Sequence, residues 1–104
     1  MADVSKTVES RKYAEFPHSF RDPWEETDVD MAFRFAKPTK LEIKRMQDSA
    51  AKNAAQASRN LLLSTVHPDD KEKLVESMEN YPGIVTSYAT ALIKAVGISN
   101  DLGN

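Results

Sequence analysis

The chain has 104 residues, 40% of them hydrophobic and 29% charged, with a formal net charge of −2. That length suffices for one modest core and is too short for two, and the composition is ordinary for a globular domain. Having no cysteine excludes disulfides, thiolate metal sites and cysteine nucleophiles, and the slightly acidic balance gives no overall attraction for nucleic acid.

Residues 1–30 hold the charged and aromatic clusters RKYAEF, HSFRDPW and EETDVD, with little Leu, Ile or Val. MADVSKTVES lacks the apolar run of a signal peptide, and no stretch approaches a membrane span, so a cytoplasmic location is expected. Pro17 and Pro23 remove backbone donors and disfavour helix at the residues before them. The segment is therefore predicted as an extended N-terminal arm containing one short strand or turn. Its aromatics, Tyr13, Phe16, Phe20 and Trp24, are too many for a purely solvated tail. Either they lie against the protein's own core, or they await a partner, since aromatic anchors dominate interface energies.

In DMAFRFAKP, Met31, Phe33 and Phe35 alternate with Ala32, Arg34 and Ala36, the period-2 pattern of a half-buried strand that Pro38 ends. A strand needs a ladder for its backbone groups, so this one must pair with part of the N-terminal arm or with another chain.

Helical signals begin at Thr39, which with Glu42 forms a capping box. Ile43, Met46, Ala50, Ala54, Ala57 and Leu61 recur at spacings of three or four and form one apolar face. A break near Asp48–Ser49, with either residue capping a second helix, fits the same pattern. KEKLVESMEN places Leu74, Val75 and Met78 on one side of a short amphipathic helix. Pro82 in NYPG suits the start of a last helix, along which Ile84, Val85, Tyr88, Leu92, Ala95 and Val96 form a stripe. Gly97 supplies a left-handed terminator, and ISNDLGN, with Ile98 and Leu102, reads as a polar tail. The predicted fold class is mainly α (α+β): residues 31–104 form a small bundle of three to four helices, preceded by the arm of residues 1–30 and a short β-strand or hairpin.

The chain offers little chemistry. His67-Pro68-Asp69-Asp70 reads as a helix start, with proline in the first turn and acids meeting the positive end of the helix dipole. Glu25, Glu26, Asp28 and Asp30 lack the glycine and alternating oxygens of a calcium loop and read as a solvated turn rather than a weak cation site. No serine sits in a nucleophile elbow, and the three glycines all follow residue 82, so no phosphate-cradling loop is expected. A helix–turn–helix over residues 50–80 would read DNA with DDKEKLVESMEN, an acidic helix that a phosphate backbone repels. No catalytic residue, metal ligand or cofactor is predicted. The candidate partner-binding residues are Phe16, Phe20, Trp24, Met31, Phe33 and Phe35.

The order of features resembles a known family. The F-x-F-x-x-P-T approach to the first helix, RNLLLSTVHPDD between helices, and YPG opening a helix that ends in LIKAVG are similar to small tail assembly chaperones of bacteriophages and prophages. The resemblance spans roughly residues 31–97 and leaves the arm out. It implies a non-enzymatic, largely helical protein that engages tail tape-measure and tail-tube proteins in the bacterial cytoplasm and is absent from the mature virion. Self-association into a homo-oligomer is expected, and neither nucleic acid nor membrane is an expected partner. A minor structural tail or connector protein is the alternative, and a small DNA-binding regulator a more distant one.

Overall fold

The computed structural model describes residues 11–97. Strands β1 (Tyr13–Asp22) and β2 (Thr27–Ala36) form an antiparallel hairpin. Four helices follow: α1 (Lys40–Ala50), α2 (Ala54–Thr65), α3 (Lys71–Asn80) and α4 (Ile84–Ala95), with a single 3-10 turn, Pro68–Asp70, between α2 and α3.

The expectation of a mainly α fold is overturned. Among the described residues 55% are helical and 24% lie in strand, so the fold is α+β, an N-terminal hairpin followed by four helices. The difference arises in the predicted arm. Within it, Tyr13–Asp22 is a ten-residue strand paired along its whole length with β2, from Tyr13 opposite Ala36 to Asp22 opposite Thr27. The division placed at residue 30 falls inside β2. The first ten residues of the arm, and Ile98 and Leu102 of the tail, lie outside the described residues.

Register explains why this hairpin forms. Phe16 sits opposite Phe33, His18 opposite Met31 and Phe20 opposite Val29. Successive side chains in a strand point to opposite faces, so the two-residue spacing puts all six on one face. Phe33 and Phe35 are buried there, and Phe16, Phe20 and Met31 pack against the same core. Pro17 is accommodated because β1 is an edge strand, where some N–H groups have no ladder partner to lose.

The hairpin is joined to the helices on its β2 side. His67 N–H donates to the Arg34 carbonyl at 2.8 Å, and Val66 forms an isolated antiparallel bridge with Phe35. Asp70 accepts three hydrogen bonds from Arg34: from its backbone N–H at 2.8 Å, Nε at 3.1 Å and Nη2 at 2.7 Å. Such charge-assisted, bidentate pairing is the strong kind of ion pair. At the hairpin root Arg11 Nη2 donates to Glu42 Oε1 at 2.8 Å and to the Lys37 carbonyl at 3.0 Å, fastening β1 to α1.

The helix boundaries follow local capping. Thr39 and Glu42 form the expected box, with bonds of 2.9 and 3.1 Å. The break in the long apolar pattern falls later than Asp48–Ser49: α1 stops at Ala50 and Asn53 caps α2, its Oδ1 accepting from Gln56 N–H at 3.0 Å. The α1 helix therefore rests on α2 without burying any residue fully. His67 Nδ1 accepts from Asp69 N–H at 3.1 Å with Pro68 next in the turn, the helix start expected of HPDD. Gly97, at φ +93°, terminates the last helix as read. Leu61, Leu62, Leu74, Met78, Ile84 and Leu92 complete the core beneath the hairpin.

Candidate functional site

The site is built at the far end of the hairpin from Asp22, a carboxylate only 7% exposed. Its Oδ1 accepts from the N–H groups of Trp24 (2.9 Å) and Glu25 (3.1 Å), closing an Asx-type turn over Pro23. Its Oδ2 accepts from the Tyr81 hydroxyl at 3.0 Å, which fixes the turn to the segment between α3 and α4. The Glu25 N–H bond, followed by those from Tyr81 and Trp24, holds the Asp22 carboxyl below its usual value of 3.8 against the opposing effect of burial. The same Asp22 bond, with burial, pushes the Tyr81 phenol above 10.0. Glu26 completes the turn at φ 58°, a left-handed conformation uncommon outside glycine, and one that a scaffold fixed on both sides can sustain.

This rigid turn presents Trp24, which is 88% exposed. Beside it lies a cleft of about 480 Å³ between β1, the turn and the first part of α4. His18 and Phe20 form one wall, and Tyr81, Pro82 and Ile84 the other, with Trp24 on the rim. Phe20 meets Tyr81 edge to face with ring centroids 5.0 Å apart, and His18 lies 5.5 Å from Phe20 and 5.7 Å from Tyr88. The aromatic rings of the walls thus meet edge to face or tilted, the favoured geometries for such pairs.

The six predicted partner-binding residues separate. Phe33 and Phe35 are buried, Phe16 and Met31 are half-buried against the core, Phe20 lines the cleft, and Trp24 stands out from it. Alternation marks Met31, Phe33 and Phe35, and the aromatic content of the arm marks Phe16, Phe20 and Trp24, but neither says which end of the hairpin lies beyond the helices. Asp22, Tyr81, Pro82 and Ile84 were not among the predicted site residues. Asp22-Pro23 is a turn signal in the sequence, but the Asp22–Tyr81 bond joins positions 59 apart and leaves no local trace.

The cleft can hold an apolar side chain. Among the described residues no three His, Asp or Glu side chains are grouped as metal ligands, and no helix is long and apolar enough to cross a membrane. A groove of about 400 Å³ between α1 and α2 has a mixed lining that includes Glu42, Arg45, Asp48 and Asn60 together with Met46, Ala57 and Leu61.

A family model described as a domain of unknown function (DUF6848) matches residues 18–103. No curated protein matches the chain. The chain is similar in fold to the solved structure of an uncharacterised protein from Bacillus stearothermophilus, at 24% identity and a TM-score of 0.68, covering 95% of this chain and 94% of that one.

Proposed function

This chain belongs to the DUF6848 family, and we propose that it is a non-enzymatic assembly chaperone whose client docks at the hairpin-tip cleft. The observation that carries the reading is Trp24: a large aromatic side chain, 88% exposed, on a turn made rigid by three hydrogen bonds to one buried carboxylate. Tryptophan is the residue type most enriched among interface anchors, and a preorganised anchor loses little entropy on binding. The neighbouring cleft adds apolar area beside that anchor, and among the described residues Leu41 is the other large exposed hydrophobic residue.

The kind of client comes from the order of motifs over residues 31–97, which resembles phage tail assembly chaperones. On that reading the clients are tail tape-measure and tail-tube proteins, met in the host cytoplasm, and the chaperone is absent from finished particles. Self-association would use the outer edge of β1, since the outer edge of β2 is engaged at Arg34 and Phe35 by His67 and Val66. A DNA-binding role finds no support in α3, which carries Glu72, Glu76 and Glu79 against Lys71 and Lys73.

Co-expression with a tape-measure protein tests the proposal. Capture of the client by the wild type, and its loss in Trp24→Ala with an unchanged melting curve, is the expected result. Full capture by Trp24→Ala would place the docking surface elsewhere. Recovery of the protein in purified virions would favour a minor structural tail component instead.

A further inference from the structure

The charge around the cleft narrows the client further. Asp22, Glu25, Glu26 and Asp28 lie within the turn and its flanks, against one cation, Arg21. Arg21 is taken up by Asp28 at 3.2 Å, and Asp22 by its three donors. That leaves Glu25 and Glu26, which directly follow Trp24 in the turn, both exposed and, among the described residues, in no ion pair. No Lys or Arg lines the cleft. The C-terminal end of α3 at Asn80 and the N-terminal end of α4 at Ile84 meet beside it, so their opposite dipole charges largely offset and side chains set the sign.

We infer that the cleft takes a basic client segment carrying one large apolar side chain, an inference that rests on the client docking at this cleft. The apolar side chain seats against Phe20, Tyr81 and Ile84. Flanking Lys or Arg groups meet Glu25 and Glu26 and stack on the face of Trp24, a cation–π contact that is strongest with tryptophan. A volume of about 480 Å³ leaves room for such an anchor.

Trp24 is the chain's single tryptophan, so its emission reports occupancy of this site directly. The probes are three synthetic peptides of equal length: one with Lys and Arg around a central Leu, one with Asp and Glu around the same Leu, and one basic peptide with Ala in its place. The basic Leu peptide is expected to shift Trp24 emission to shorter wavelength and to bind at least about tenfold more tightly than either control, and more weakly as salt is added. Glu25→Lys combined with Glu26→Lys, both on exposed positions, should abolish the preference for the basic peptide. Equal binding of the acidic peptide, equal binding of the Ala peptide, or no shift with any of them would overturn the inference. Charge preference without capture of a tape-measure protein would remove the proposed client and keep the inference. Trp24-dependent capture without charge preference would do the reverse.

Discussion

Replacing Tyr88 with Phe should make this protein more stable. Tyr88 is 2% exposed and packs its ring between Phe33, at 5.7 Å, and Phe35, at 5.3 Å, yet its hydroxyl has no hydrogen-bond partner among the described residues. A hydroxyl buried without a partner costs about 1–3 kcal/mol, the desolvation it never recovers. Phe keeps the ring and leaves a void of one oxygen, so a net gain of about 1 kcal/mol is expected, which raises the melting temperature of a domain this size by about 4–8 °C. A second signature comes from titration. Burial pushes the Tyr88 phenol up to about 12 from 10.0. A group whose folded pKa is raised contributes stability that is complete below its unfolded value and lost as pH rises, so the wild type should weaken between about pH 10 and 12. Two pH units correspond to about 3 kcal/mol. Tyr81, whose phenol is also raised, is common to both proteins and cancels in the comparison. Urea denaturation followed by far-UV circular dichroism at neutral pH and across that range measures both effects. A Phe variant less stable at neutral pH, with a gap that does not widen above pH 10, would refute the reasoning.

Three further outcomes follow from contacts elsewhere. Leu62→Ala, at a fully buried position, should cost about 2–5 kcal/mol in the same assay, whereas Leu41→Ala, at a position 54% exposed, should stay within about 0.5 kcal/mol. The Arg34 side chain, aided by its backbone N–H, holds the Asp70 carboxyl below 3.8 against burial. A depressed carboxyl contributes stability that is present above the unfolded value and lost as pH falls through the folded one. Melting temperature against pH should therefore drop on the acid side in the wild type, and Asp70→Asn should start lower at neutral pH and show a shallower acid limb. Asp22→Ala removes the acceptor shared by Trp24, Glu25 and Tyr81. Trp24 fluorescence anisotropy should fall and client capture weaken although Trp24 is intact; unchanged anisotropy would mean the turn holds itself.

Features governed by neighbours in sequence were legible. The Thr39–Glu42 box, the Met31–Phe35 alternation, the HPDD helix start and the Gly97 stop each depend on residues within four positions of one another. β1 was legible only as a short strand or turn in the arm, one of two possible partners for the Met31–Phe35 strand. Its ten-residue length was not, because proline argues against a strand only where its N–H would be needed, and edge position is a property of the sheet. The α1–α2 break shifted because Asp48, Ser49 and Asn53 are all competent caps, and packing of Ala57 and Leu61 into the core selects Asn53. At the candidate site Trp24 was identifiable as an aromatic, but its separation from Phe33 and Phe35 depends on how far the hairpin reaches past α4.

The bond between Asp22 and Tyr81 also bears on the order of folding. The hairpin and the α1–α2 pair each close over short stretches of chain, whereas docking the hairpin on α4 joins residues far apart, 59 positions at this bond. Loop closure over long separations is entropically costly and slow, so this docking belongs late in folding and to the first openings of the native state. The cleft exists only once docking is complete. A ligand that occupies it binds the docked form alone and stabilises it by mass action. Hydrogen exchange of β1 and α4 should then slow together as the cleft fills.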